Sequence, residues 1–406
     1  MTLRSIRIPA LAVLIAACGP NEETEMPTDL AQMARRIAET AIIIDTHVDV
    51  PYRLSAVWED VSQATAEGNF DYPRAVAGGL DAPFMSIYTP SELEAEGGSR
   101  ALAESLIDMV EGIASDAPDK FALAYSTADV RRHFEEGLIS FPMGMENGSP
   151  IEGDLANVQH FYDRGIRYIT LAHNLSNHIS DSSRDDPLWG GLSEFGTEVV
   201  GEMNRLGMMV DVSHVSDEAF ADVVETSRVP VIASHSSPRH FTPGWPRNMS
   251  DEMITALAAN GGLIMINFGS SFLSAESNAY RYDRRDAYRA HLAESGLEDS
   301  DESEAAFNAR WAEGHGPFPF ADLDAVLDHF DHVVALVGVE HVGIGSDYDG
   351  VGDTLPVGLK DVSTYPSLIR GFLERGYSED DIRMILGENL LRVWGQVEAY
   401  AQEQAE

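Results

Sequence analysis

The stretch Ala41-Ile42-Ile43-Ile44-Asp45 runs straight into Thr46-His47-Val48-Asp49. A short β-branched run of this kind reads as a strand buried on both faces. The two metal-binding residue types beyond it stand at i and i+2 of an extended segment, so both side chains face one side of the chain. As a tripeptide pattern His-x-Asp is common. Its position is what matters, because reactive residues of a (β/α)8 barrel sit at the C-terminal ends of the strands.

Seven further runs of the same kind follow, at residues 82–88, 139–145, 168–172, 208–213, 229–234, 262–267 and 342–346. Amphipathic stretches such as 156–165 and 193–206 lie between them, and this alternation predicts parallel strands joined by crossover helices. The residues after the runs belong to one chemical class. They are His47 and Asp49 after the first, Glu146 after the third, His173 after the fourth, His214 after the fifth, His235 after the sixth and Asp347 after the eighth. Core packing does not require metal-binding types to fall repeatedly on one rim. The fold expected is therefore an α/β (β/α)8 TIM barrel, with a helical insertion between strands seven and eight at about residues 270–322. That segment is acidic and carries Tyr280, Tyr282, Tyr288, Phe307 and Trp311. It is expected either to wall the pocket or to sit passively on the surface. Residues 368–401 are expected to be helical.

A chain of 406 residues would suggest two or three domains at roughly 150 residues each, but barrels with insertions reach this size as one unit. One domain over 29–406 is expected. The 27 Lys and Arg against 67 Asp and Glu give a formal charge of -40, which repels phosphate backbones and anionic lipid surfaces and excludes nucleic-acid binding. The amino terminus has its own composition. Arg4 and Arg7 precede an apolar stretch at 8–17, then small residues and Cys18, as in a secretory signal peptide. The order Leu14-Ile15-Ala16-Ala17-Cys18 resembles a bacterial lipoprotein signal. It implies removal of residues 1–17, a lipid-modified Cys18 as membrane anchor, a polar tether over 18–28, and a place in the bacterial cell envelope facing the periplasm. Cys18 is the only cysteine, so intrachain disulfides are excluded.

His47 and Asp49 are expected to hold one metal and His214 and His235 a second, because the fifth and sixth strands are adjacent, ~4.8 Å apart, and both end in Ser-His. Mixed imidazole and carboxylate donors suit zinc, with manganese, cobalt or iron as substitutes. Many two-metal barrel hydrolases bridge their ions with a carbamylated lysine. Here the only two lysines, Lys120 and Lys360, end no expected strand, and Glu146 is the carboxylate best placed to bridge. A hydroxide between two such ions attacks a carbonyl or phosphoryl centre.

The ordered set Asp45-Thr-His47-Val-Asp49-Val-Pro51, Gly144-Met-Glu146-Asn, Thr170-Leu-Ala-His173-Asn174, Val210-Asp-Val-Ser-His214-Val-Ser216, Ser234-His235-Ser-Ser237, Arg247-Asn248 and Gly343-Ile-Gly-Ser-Asp347-Tyr-Asp349-Gly350 resembles the membrane dipeptidase (renal dipeptidase) family of the amidohydrolase superfamily. The resemblance runs from about residue 30 to 395. It implies two zinc ions on His47, Asp49, Glu146, His214 and His235, and hydrolysis of small dipeptides, L,L and also L,D. It further implies that His173 contacts the scissile carbonyl, that Arg247 clamps the substrate's terminal carboxylate, and that Asp347 moves a proton from water to the leaving amine. From the residues alone, Asp347 is equally a ligand or a partner of a histidine. Two departures stand out: Gly269-Ser270-Ser271 follows the seventh strand where the family has a bulkier segment, and the cysteines of animal members are missing, so a homodimer would be non-covalent. Two rival readings are a binuclear amidohydrolase acting on N-acyl amino acids or β-lactams, and a peptide- or metal-binding lipoprotein without catalysis.

Overall fold

The computed structural model describes residues 26–405. The expected signal peptide at 1–17 and the lipid-modified Cys18 lie outside the described residues. Helix Met26–Thr40 begins within the last residues assigned to the tether. Eight parallel strands follow, each hydrogen-bonded to the next in chain order. They are Ile43–Val48, Leu80–Tyr88, Met143–Glu146, Ile166–Thr170, Met209–Asp211, Ile232–Ser236, Leu263–Ile266 and Val342–Ile344. The first and eighth meet through a bridge between Val48 and Tyr348. There the Asp49 N–H donates to Tyr348 O at 2.8 Å and the Asp347 N–H to His47 O at 3.1 Å. The sheet is thus a (β/α)8 barrel with helices around it.

Neighbouring residues on the strands divide between two apolar clusters, as a period of two requires. Ile44, Phe84, Tyr168, Met209, Ile232 and Leu263 belong to the cluster inside the barrel, which Trp394 of the last helix closes. Ile43, Met85, Ile169, Val210, Ala233 and Ile264 pack outward against the helices. Two strands depart from strict alternation at the place where function needs it. The register shifts between Asp45 and Val48 in the first strand and between Ala233 and Ser236 in the sixth. Each irregularity turns a histidine inward three residues after an inward isoleucine: Ile44 and His47, Ile232 and His235. This is what a bulge does to a side chain's direction.

Four expectations need correction. The run at 139–145 is two strands, because Pro142 has no N–H to continue a ladder. Ile139–Phe141 pairs with Phe121–Leu123 in a separate two-stranded sheet, which the sequence reading missed, and Met143–Glu146 joins the barrel. The first and sixth strands extend further than expected, so His47 and His235 lie within strands and not after them. The C-terminal stretch is divided into Tyr365–Glu374, Glu379–Arg383, a π-helical turn Met384–Glu388 and Asn389–Ala405, with Gly376 at φ +87° ending the first piece. Between the seventh and eighth strands the insertion is helical, as Ser270–Leu273, Ala275–Ser295 and Asp301–His315, before the barrel helix Leu323–Val337. Among the described residues no helix is long and apolar enough to cross a membrane.

Candidate metal centre

All seven residues singled out at strand ends converge on one rim and are buried: His47, Asp49, Glu146, His173, His214, His235 and Asp347. Glu146 stands at the centre, and its two oxygens face different groups. Oε2 is 3.4 Å from His47 Nε2. Oε1 is 3.2 Å from His214 Nε2 and 3.3 Å from His235 Nε2. On the far side of His47 Nε2 lies Asp49 Oδ2 at 3.5 Å. One carboxylate thus spans from a His/Asp pair to a His/His pair, the disposition a bridging ligand needs.

The hydrogen bonds behind the imidazoles fix which nitrogen is free. Tyr168 Oη donates to Thr46 O at 2.9 Å, so at 2.9 Å from His47 Nδ1 it accepts that nitrogen's proton. His47 Nε2 is left with its lone pair facing the site. His235 is held the same way: Ser234 Oγ donates to Asp211 Oδ2 at 2.6 Å and so accepts from His235 Nδ1 at 2.8 Å. Orientation of a ligand imidazole by a partner on its other nitrogen is a general property of metal sites. Tyr168 reaches His47 because its ring lies against Gly144, where any Cβ would collide with it. We expect Tyr168→Phe to bind metal about 10- to 100-fold more weakly, read by competition with a chelating dye. An unchanged affinity would show that the ring's hydroxyl has no part in positioning His47.

Whether these residues suit divalent ions is answered by their unmet polar atoms. His47 Nε2, Asp49 Oδ1 and His214 Nδ1 are buried without a hydrogen-bond partner, a costly state for polar groups with nothing to bind. His214 and His235 place their Nε2 atoms 2.9 Å apart, both directed at one point. Burial first, with the positive charge of Arg247 adding to it, holds His214 and His235 well below the usual imidazole range, which keeps them neutral and able to ligate. Burial alone would raise Glu146, but the imidazoles of His47 and His173 hold it well below the usual carboxylate range. Nitrogen and oxygen donors of this kind fit divalent metal.

Two further side chains have the means to act on a substrate. Ser91 Oγ accepts the N–H groups of Asn174 at 3.0 Å and Leu175 at 3.4 Å, which leaves its hydroxyl proton to donate to His173 Nδ1 at 3.3 Å. That arrangement puts the proton of His173 on Nε2, on the cavity side. Burial lowers His173 to about 4, so the ring is a neutral donor. Asp347 accepts from Asn267 Nδ2 at 2.7 Å. Burial first, and the Asp49 carboxylate second, push it up to about 8, making it a group that takes and gives up a proton near neutrality. His214 and Asp347 both have left-handed backbones, at φ +70° and +64°. Such strain gathers where a turn must aim a side chain.

The cavity over this rim has a volume of about 430 Å³. Asp49, Glu146, His173, His214 and Asp347 form its floor, and Tyr52, Tyr88 and Phe272 part of its walls. Phe272 comes from the short helix after the seventh strand, where the small residues Gly269-Ser270-Ser271 left a bulky contributor unaccounted for. Arg247 is not among the lining residues. It is buried beside the sixth strand, donating to Ser236 Oγ and His235 O, both at 2.8 Å, with Nε unpartnered. Two arginines that the sequence reading passed over do line the cavity: Arg184, on the loop after the fourth strand, and Arg281, on the insertion helix Ala275–Ser295. Only the aromatic clustering around Arg281 hinted at either.

Residues 31–406 match the family model of the membrane dipeptidases, peptidase family M19. The chain belongs to the membrane dipeptidase family. Among solved structures it is similar to the probable dipeptidase PvdM from Pseudomonas aeruginosa, with a TM-score of 0.81 and 29% identity over 92% of this chain and 100% of that one. It is also similar to dipeptidase AC, a metallopeptidase of family M19, with a TM-score of 0.72 and 25% identity over 88% of this chain and 99% of that one. A metallopeptidase from Rhodobacter sphaeroides liganded with a phosphinate mimic of the dipeptide L-Ala-D-Ala shares the fold, with a TM-score of 0.72 and 24% identity over 88% of this chain and 99% of that one. This membrane dipeptidase family member is a metallodipeptidase, and its buried His, Glu and Asp groups are placed so that they could hold a divalent ion.

Proposed function

We propose that the enzyme works with two zinc ions, one held by His47 and Asp49 and the other by His214 and His235, and that it hydrolyses both L,L and L,D dipeptides. The observation that carries the two-ion reading is the division of the Glu146 oxygens between the two pairs. Bound there, the ions would supply Lewis acidity and a water acidified to near neutrality. The protein's own groups do the rest. His173 offers its Nε2 proton to the carbonyl oxygen of the scissile bond as charge develops on it. Asp347 takes a proton from the attacking water and passes it to the leaving nitrogen, so water is added across the C–N bond and an acid and an amine result. The positive charge of Arg247 draws the substrate's terminal carboxylate, and the acidic floor draws its free amine.

The experiment is hydrolysis of a panel of L,L and L,D dipeptides and their N-acetyl forms, with zinc content measured before and after chelation. The expected result is close to two zincs per chain, turnover of the free dipeptides of both kinds, and loss on chelation with recovery on adding zinc. Two bound zincs with no dipeptide turned over would sink the reading. Preferential cleavage of the acetylated forms would favour an N-acyl amino acid substrate.

For its setting, we read the protein as a lipoprotein anchored through Cys18 in the bacterial cell envelope, facing the periplasm, and forming a non-covalent homodimer. The order of Arg4, Arg7, the apolar stretch and Leu14-Ile15-Ala16-Ala17-Cys18 supports the anchor, and the family resemblance supports the dimer. The mass of the mature amino terminus and of the assembly in solution tests each.

A further inference from the structure

In a chain with 67 acidic and 27 basic side chains, an arginine usually finds a carboxylate. Next to the active site Arg284 pairs with Glu304 at 3.5 Å and Arg285 with Asp286 at 3.3 Å. Arg184 and Arg281, which line the cavity itself, form no ion pair among the described residues. Arg184 is nevertheless held in place. Arg184 donates to Asn174 Oδ1 at 3.2 Å, and its guanidinium lies 5.5 Å from the ring of Trp245 and 5.9 Å from that of Tyr282. Trp245 Nε1 donates to Tyr282 Oη at 3.0 Å. The loop after the fourth strand, the loop after the sixth and the insertion helix are thereby joined into one aromatic platform, with Arg281 beside Tyr282 in the chain.

The lining of the cavity combines carboxylates and imidazoles with two arginines that pair with no carboxylate among the described residues. The terminal carboxylate of a dipeptide is a single negative charge, and the buried charge of Arg247 already acts on the floor residues His173 and His214. Arg281 also lines an adjoining cavity of about 500 Å³, which shares Val351 and Gly352 with the first, so a side chain extending past the scissile bond has room there. Planar, unpaired guanidinium groups at such a place match a second carboxylate.

We propose that Arg184 and Arg281 select dipeptides that carry an additional carboxylate on a side chain, with glutamyl residues the best fit. The proposal rests on the dipeptidase reading above and deepens it to a substrate class. The test compares kcat/KM for Ala-Glu with Ala-Gln and for Glu-Ala with Gln-Ala, pairs that match in shape and differ in charge. In the wild-type enzyme one Glu member should exceed its Gln partner by about 10-fold or more. That ratio should fall toward one as salt rises, and should collapse in Arg184→Gln, in Arg281→Gln and in the double variant, with metal content and circular dichroism confirming the fold. A wild-type ratio near one in both pairs, or a ratio indifferent to salt, overturns the proposal even if no variant folds. Equal losses on Glu and Gln substrates in the variants also overturn it, since they would assign the arginines to the terminal carboxylate common to all four. No turnover of any of the four by zinc-loaded wild type overturns the dipeptidase reading itself, and is told apart by the absence of rates to compare.

Discussion

Glu146→Ala should leave the protein without its full complement of metal and with dipeptide turnover reduced at least about 10³-fold, a loss of roughly 4 kcal/mol in transition-state stabilisation. The size follows from the geometry. Oε2 serves the His47 side and Oε1 the His214 and His235 side, so one truncation removes a donor from each half of the site. It also takes away the one carboxylate that lies within 3.2–3.6 Å of four buried imidazoles. Elemental analysis of the purified variant, beside initial rates on one good dipeptide, measures both effects. Stoichiometric metal in an inactive variant would show that another group joins the two halves.

Asp347→Asn should give the opposite separation: metal retained, and kcat lowered by about 10²- to 10⁴-fold, the usual contribution of a positioned acid–base group. Asparagine has nearly the same shape, tolerates the left-handed backbone at φ +64°, and can still accept from Asn267 Nδ2. What it cannot do is exchange a proton. The outcome also decides between two readings that geometry leaves adjacent, because Asp347 lies with His47 and Asp49 in a group able to hold one ion. Loss of metal together with turnover would make Asp347 a ligand.

The strand ends were legible because buried β-branched runs and the metal-binding types after them are both local in the chain. His47, Asp49, Glu146, His173, His214, His235 and Asp347 all reached one rim for that reason. What holds them was not legible. Tyr168, Ser234 and Asp211 lie within buried strands, where nothing local separates a side chain that orients a ligand from one that fills the core. The inward turn of His47 and His235 depends on register shifts against neighbouring strands, which are properties of the pairing and not of either segment. Pro142 is a different case. It stood in the middle of an expected strand, and its missing N–H was readable as a break. Arg184 and Arg281 could not be distinguished from solvated surface charge until loops about a hundred residues apart came together, and the hydrogen bonds that bury Arg247 against Ser236 and the His235 carbonyl are likewise contacts between segments.

The join between Val48 and Tyr348 has a consequence for the order of events in making the enzyme. Its two hydrogen bonds run through the backbones of His47, Asp49, Asp347 and Tyr348, so the line along which the cylinder shuts passes through the reactive centre. His47 and Asp49 emerge near the beginning of synthesis and Asp347 near its end. Until the last strand is in place, the earliest ligands have no fixed neighbour on that side. Closure of the cylinder and completion of the centre therefore depend on the same backbone contacts.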